Sequence, residues 1–217
     1  MILLFDFDGT LFDTMPSIIH ATRETFRRAG LAEPAEAAIR GAIRDGRGLE
    51  YYLGRLNPDI AKPDMPDWVL SWRAVYDAEA HALSRPFPGA VEAVARLHGL
   101  GAKVAVVSNK GEPALLRSVK EAGFGPFVSA VAGDAPPRPK KPNPQMYRQA
   151  ILPAFYGEEP GRVVMVGDSA ADLEFGRNID ARVVWAAYGY GDPAACLAMN
   201  PDVVLDSPAD LADLMVT

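Results

Sequence analysis

Met1-Ile2-Leu3-Leu4-Phe5-Asp6-Phe7-Asp8-Gly9-Thr10 begins with four apolar residues, Ile2–Phe5, that stop abruptly at Asp6. Unbroken apolarity over so short a run marks a strand buried on both faces, as in a parallel sheet; a strand with one wet face would alternate. Asp6 and Asp8 are two residues apart, so on extended chain both carboxylates can face one way while Phe7 packs to the other. Gly9 relieves the backbone so that amide N–H groups can approach an anion.

The same signature recurs downstream. Lys103–Val107 ends before Ser108, Val163–Val166 before Gly167, and Arg182–Ala187 before Tyr188. Val128–Ala132 and Val203–Leu205 are weaker candidates. Helical patterns lie between them: Gly89–His98 after Pro88, Pro113–Ala122 before Gly123, and Pro144–Leu152, which opens on a residue suited to a first helical turn. Ser207-Pro208 reads as a cap and first turn of a C-terminal helix. Strand alternating with helix predicts an α/β fold with a doubly wound, Rossmann-like parallel sheet.

From about Thr14 to Arg85 the alternation fails and only helical periodicity remains. Leu49, Tyr52, Leu53 and Leu56 keep the spacing of one helix face. Asp67 can cap a helix striped by Trp68, Trp72, Val75, Tyr76 and Leu83, and Ile18, Ile19, Thr22 and Phe26 form another stripe, stopped at Gly30. A helical cap domain over residues 14–85 is therefore expected, inserted into a core formed by residues 1–13 and 86–217. The proline-rich Ala135–Pro144 predicts an extended loop.

Bulk properties narrow the function classes. The chain has 217 residues, 49% of them apolar and 23% charged, which suits one sizeable core plus a small accessory module. With 22 Lys+Arg against 28 Asp+Glu the formal net charge is −6, against a nucleic-acid or anionic-membrane surface but compatible with a local basic pocket. Cys196 is the only cysteine, so no intrachain disulfide forms and a reducing cytoplasm fits. The apolar start lacks a basic flank, and no run approaches the ~20 apolar residues that span a bilayer. A soluble cytoplasmic protein is expected, monomer or homodimer, with no membrane or nucleic-acid partner.

Ligands of open α/β sheets bind at the carboxyl ends of the strands, so the groups delivered there are the candidate site. The first strand brings Asp6, Asp8, Gly9 and Thr10. The second brings Ser108-Asn109-Lys110, where a hydroxyl, an amide and backbone donors suit phosphate oxygens. Lys141, in Lys140-Lys141-Pro142-Asn143-Pro144, is a cation on a rigid loop. The third strand leads into Gly167-Asp168-Ser169-Ala170-Ala171-Asp172, where Asp168 and Asp172 can share one face. Singly, each piece has a plainer reading: an Asp-rich turn, a Ser-Asn turn, a solvated lysine, a helix-capping carboxylate.

Taken in order, Asp-x-Asp-Gly-Thr, a strand ending in Ser-Asn, Lys-Pro-x-Pro and strand–Gly-Asp-Ser-x-x-Asp resemble the haloacid dehalogenase-like hydrolase superfamily, in its phosphoglycolate-phosphatase-like branch. The resemblance covers essentially the whole chain, including Phe87-Pro88-Gly89 before a helix ending at Gly101 and Tyr188-Gly189-Tyr190-Gly191 after a late strand. It implies an Mg²⁺-dependent phosphatase acting on a small phosphorylated substrate, with Asp6 as nucleophile and Asp8 as general acid and base. It gives the metal the carboxylates of Asp6 and Asp168 and the main-chain oxygen of Asp8, with Asp172 directly bound or one layer out. Lys141, Ser108 and backbone N–H groups around Asp8–Gly9 and Asn109 would neutralise the phosphate. Asp8 disfavours the dehalogenase branch, which lacks that carboxylate. Phosphonoacetaldehyde hydrolases, with Ala there and a Schiff-base lysine in the cap, also fit poorly, since the only lysine in 14–85 is Lys62. One departure is Ile179-Asp180, where the family commonly has Ala-Gly.

The cap is expected to close over the site and supply specificity groups. Arg44 or Arg47, in a glycine-rich loop between cap helices, could meet the substrate's non-phosphate end, a carboxylate for example. His20, His81 and His98 fit no metal spacing, and Trp68 and Trp72 read as cap core rather than a stacking platform. 2-Phosphoglycolate is the first substrate choice. The alternatives are a β-phosphoglucomutase-like phosphosugar mutase, a pyrophosphatase or nucleotidase with the same site, and a non-catalytic binding protein on a retired enzyme fold.

Overall fold

The computed structural model describes residues 1–155 and 163–214. Its strands are β1 (Ile2–Phe5), β2 (Phe12–Asp13), β3 (Arg85–Pro86), β4 (Lys103–Gly111), β5 (Val128–Asp134), β6 (Val163–Gly167), β7 (Arg182–Ala186) and β8 (Val203–Leu205). Six of them form one sheet in the order β5-β4-β1-β6-β7-β8, and every neighbouring pair is parallel. β1 lies between β4 and β6, with Phe5 level with Val106 on one side and Val166 on the other. The connections run outward in opposite directions from this point, the place where open α/β sheets leave a crevice.

The unbroken apolar run is explained by two-sided burial. Leu3 and Phe5 join one core cluster with Val94, Leu97, Leu115 and Phe124. Ile2 and Leu4 join a second with Met146, Ile151 and Phe175 on the opposite face. Truncating a fully buried leucine such as Leu4 to alanine costs about 2–5 kcal/mol.

The helical stretch holds α1 (Met15–Arg28), α2 (Glu36–Ile43), α3 (Leu49–Leu56) and α4 (Met65–Val75), then a π-helical segment, Tyr76–Ala80. It has a hydrophobic cluster of its own, built on Ile18, Phe26, Ile39, Tyr52, Leu53 and Val69. Trp68 packs edge-on against Phe26 there. The chain leaves the core at β2 and returns at β3, and the two pair antiparallel, Asp13 opposite Arg85. The later helices are α5 (Ala90–Gly99), α6 (Glu112–Glu121), α7 (Ala170–Asn178) and α8 (Pro193–Ala198). No helix among the described residues is long and apolar enough to cross a membrane.

Local departures from the sequence reading have physical causes. The expected helix over Pro144–Leu152 forms, but it widens into a π-helical turn, Tyr147–Ile151, followed by a 3-10 turn, Leu152–Phe155. Pro153 lacks the N–H that an α-helix would pair with the carbonyl of Gln149. Asp67 lies in the first turn of α4 rather than capping it, because the helix already opens at Met65-Pro66. Leu83 is 46% exposed; the wide turn at Tyr76–Ala80 rotates it off the apolar stripe. The C-terminal helix is a 3-10 segment, Pro208–Asp213, with Ser207 Oγ accepting from the Ala209 N–H as a cap. At Ile179-Asp180, Asp180 takes the left-handed conformation, φ 55°. Ala181 and Asp180 donate to the carbonyls of Gly176 and Arg177, so α7 still ends in a Schellman turn, with aspartate in the place that favours glycine.

Candidate active site

The turn after β1 presents the two aspartates. Asp6 N–H donates to Val166 O at 2.8 Å, extending the ladder one residue past the strand. Phe7 points the other way and stacks on Phe12, ring centroids 4.8 Å apart. Phe7 O then accepts from Leu11 and Phe12 N–H, at 3.0 and 2.9 Å, and closes the loop. Gly9 has φ +88°, and a Cβ there would sit 2.5 Å from Asp168 Oδ2, so the position requires glycine on two counts. Its N–H, expected to face an anion, donates instead to Phe12 O at 2.9 Å; the tight turn consumes it.

Lys141 connects the strand ends. Its Nζ donates to Asp6 Oδ1 at 2.6 Å, Asp172 Oδ1 at 2.5 Å and Val107 O at 2.8 Å, so all three ammonium protons are engaged. The side chain is 2% exposed. Asp172 Oδ2 accepts from Ser169 N–H at 3.0 Å and Ser169 Oγ at 2.6 Å. This helix-start bonding is the plainer role weighed for Asp172, and it coexists with the bond to Lys141. Asp168 Oδ2 accepts from Tyr190 N–H at 2.7 Å and Oδ1 from Thr10 Oγ1 at 3.3 Å. Thr10 thus orients a carboxylate through its side chain.

Asp6, Asp168 and Asp172 can each direct a carboxylate oxygen to a shared point, these atoms lying within 4.8 Å of one another. Three buried carboxylates face one ammonium. Burial, the first cause, together with Asp172 and Asp8, pushes the Asp6 carboxyl up to about 7 despite the opposing pull of Lys141. Burial, with Asp172 and Asp6 close by, also raises Asp168 well above the usual carboxylate range. Burial would depress Lys141, but Asp172 and Asp6 outweigh it and hold its pKa above the ordinary lysine value. Hard oxygen donors in excess of the local positive charge fit a divalent cation.

A cavity of about 230 Å³ opens over this cluster, lined by Asp6, Asp8, Ser108, Asn109, Lys141 and Asp168 from the sheet side. The helical stretch contributes Arg47, Tyr52, Trp72, Arg73 and Tyr76. The two candidate arginines separate. Arg47 lines the cavity, its guanidinium 5.4 Å from the Tyr51 ring centroid. Arg44 lies outside the lining set and pairs with Asp192 at 3.5 Å on the surface. Asn109 is engaged as a brace: Nδ2 donates to Gly46 O and Lys141 O at 3.0 and 3.1 Å, and Oδ1 accepts from Lys141 N–H at 2.9 Å.

Trp72 is both core and wall. It packs against the cluster of the helical stretch, stacks on Tyr76 at 5.2 Å and donates from Nε1 to Thr22 Oγ1 at 3.0 Å. The histidines lie elsewhere, His20 beside Glu79, His81 beside Glu121 and His98 against Phe127. Lys62 is exposed, in a 3-10 turn before α4.

Three further residues take part, to none of which the sequence alone gives a role. Lys110 Nζ lies 3.1 and 3.4 Å from the Asp8 oxygens and 2.7 Å from Tyr76 Oη. Arg73 crosses from α4 to Asp134 at 2.6 Å. Tyr190 clamps Asp168 through its N–H, and a Cβ at Gly189 would stand 2.2 Å from Asp168 Cβ. The Tyr188-Gly189-Tyr190-Gly191 string was the visible trace of that wrapping loop. Lys110 belongs to the Ser108-Asn109-Lys110 string, but its contact with Asp8 follows from a register shift in β4 that strand alternation does not show.

Residues 3–186 match the haloacid dehalogenase-like hydrolase family, and the chain belongs to that family. Phosphoglycolate phosphatase from Vibrio vulnificus (strain CMCP6) is 29% identical over 223 aligned positions, spanning 99% of this chain and 96% of that one. Phosphoglycolate phosphatase from Aquifex aeolicus (strain VF5) is 28% identical, with 99% and 96% covered. The solved structure of a haloacid dehalogenase-like hydrolase from Streptococcus pneumoniae superposes with a TM-score of 0.86 at 21% identity, covering 99% and 97% of the two chains. That likeness establishes the fold.

Proposed function

We propose that the protein is an Mg²⁺-dependent phosphomonoester hydrolase that forms an aspartyl-phosphate on Asp6. The observation that carries this reading is the Lys141 ammonium bridging Asp6 and Asp172 beside Asp168. Asp6, Asp168 and Asp172 would hold the ion with the main-chain oxygen of Asp8. When bound, Mg²⁺ supplies the positive charge that lets an anionic nucleophile meet a phosphate.

Lys141 fixes Asp6 Oδ1, and among the described residues no protein donor reaches Oδ2, which is left to attack phosphorus. As the Asp6 oxygen–phosphorus bond forms, the ester P–O bond breaks, and the departing oxygen keeps the electron pair and takes a proton from Asp8. Asp8 then takes a proton from water as its oxygen bonds to phosphorus and the Asp6 link breaks. Inorganic phosphate and an alcohol result. Ser108 and backbone donors at the end of β4 are placed to hold phosphoryl oxygens.

Residues 14–85 serve as a cap that supplies the outer wall. The small cavity suits a compact metabolite, and Arg47 suits a second anionic group on it. 2-Phosphoglycolate is the substrate choice, in keeping with the relatives. The test is hydrolysis of 2-phosphoglycolate and p-nitrophenyl phosphate. Turnover with Mg²⁺ that EDTA abolishes is expected. Asp6→Asn retaining turnover within tenfold of wild type would refute the covalent route. Labelling from a sugar bisphosphate without net phosphate release would point to a mutase instead.

A further inference from the structure

Asp8 differs from the other three carboxylates of the site in how it is held. Asp6 and Asp172 share Lys141, Asp172 has Ser169 in addition, and Asp168 is fixed by Tyr190 and Thr10. Among the described residues the Asp8 carboxylate receives one donor group only, the Lys110 ammonium, which reaches both of its oxygens. Asp8 is also the most open of the four, its side chain 21% exposed, so nothing else stops the carboxylate from rotating toward water.

Lys110 is in turn held from the helical side. Its Nζ donates to Tyr76 Oη at 2.7 Å and lies 4.3 Å from that ring's centroid. Tyr76 begins the π-helical segment after α4 and is locked by stacking on Trp72. Lys110 points into the cavity because the pairing of β4 with β5 slips between Val107 and Gly111, an irregularity that re-aims side chains.

We propose that Lys110 is the positioning residue for the acid/base carboxylate of Asp8, and that Tyr76 makes this placement depend on the helical segment being seated. The ammonium touches the core carboxylate and the helical phenol at once, so a displaced helical segment would lose one of the two contacts that hold it. Asp8 is then aimed at the leaving oxygen only when the cavity is complete. This inference rests on the hydrolase reading above.

The experiment measures kcat/KM for a series of aryl phosphates, from p-nitrophenyl phosphate, with a weakly basic leaving group, to phenyl phosphate, with a strongly basic one. The ratio kcat/KM reports events up to leaving-group departure, where proton delivery by Asp8 counts most for basic leaving groups. None of these substrates carries a second anion, so direct binding of one by Lys110 does not enter. Lys110→Met is expected to lower kcat/KM for phenyl phosphate about 30-fold, within the ~10²–10⁴-fold worth of general acid catalysis. For p-nitrophenyl phosphate the loss stays within about threefold, because little proton transfer is needed there. Tyr76→Phe, which keeps the ring and the fold, shows the same selectivity at smaller size, and Lys110→Arg restores part of the loss. An equal loss across the series, or no loss, overturns the positioning role while Asp6-dependent wild-type turnover leaves the hydrolase reading standing. Absence of wild-type turnover on every member overturns both.

Discussion

The two walls of the cavity are built differently. On the sheet wall the carboxylates, Asp8 excepted, are buried and cross-bonded: Asp168 is gripped by Tyr190 and Thr10, Asp172 by Ser169 and Lys141. On the helical wall, long side chains reach over from a segment with its own hydrophobic cluster and make single contacts, Arg73 to Asp134 and Arg47 over Tyr51. The contrast teaches a division of labour. Strand ends in a packed sheet hold charge to within fractions of an ångström, which reaction at phosphorus requires. Flexible cations on a separate packing unit can be exchanged without disturbing that geometry, which suits them to choosing what is attached to the phosphate.

If the contrast is sound, substitutions on the sheet wall produce the largest effects. If Asp6 is the nucleophile as proposed, Asp6→Asn is expected to remove turnover by ~10⁴-fold or more. Trapping of phosphoenzyme with acid quench should fail for this variant. Asp8→Asn follows, with ~10²–10⁴-fold lost from kcat. Lys141→Ala is expected to show in stability as well as in rate. It leaves three buried carboxylates without their ammonium, and breaking a buried pair in this way costs about 3–5 kcal/mol. Urea unfolding in EDTA reads that cost; a midpoint unchanged from wild type would mean the cluster is not held together by its charges.

Legibility in the sequence divides along the same line. Ile2–Phe5, Lys103–Val107 and Val163–Val166 advertised a parallel sheet because two-sided burial leaves no room for polar residues, and the structure pairs them side by side. Asp6 and Asp168 could be read because strand ends of one sheet must converge, whereas Lys141, on a loop, and Asp172, in a helix start, stood out only through the ordered motifs of the family resemblance. The helical wall could not be read this way. Arg73 reaches the cavity across a packing interface that periodicity does not encode, and Tyr76 is turned by a π-helical segment with no sequence signature of its own. Lys110 depends on a register slip in β4. Gly9 misled in a different manner: its residue type showed that the backbone turns tightly there, but not that Phe12 O takes its N–H.

The smallest expected effects separate the two arginines and bear most directly on the helical wall. Arg47 lines the cavity and has no carboxylate partner among the described residues, its guanidinium lying over the face of Tyr51. A substrate carboxylate would therefore find it uncommitted. Arg47→Ala is expected to lower kcat/KM for 2-phosphoglycolate roughly tenfold, the scale of one charge-assisted hydrogen bond. The loss should be smaller for p-nitrophenyl phosphate, which has no second anion. Arg44 is outside the cavity and spends its charge on Asp192 at the surface, a kind of pair worth about 0–1 kcal/mol. Arg44→Ala should change kcat/KM by no more than about twofold on either substrate. If Arg44 proved the more costly loss, the helical wall would have to reseat on substrate binding. The fixed-wall contrast would then hold for the sheet side alone.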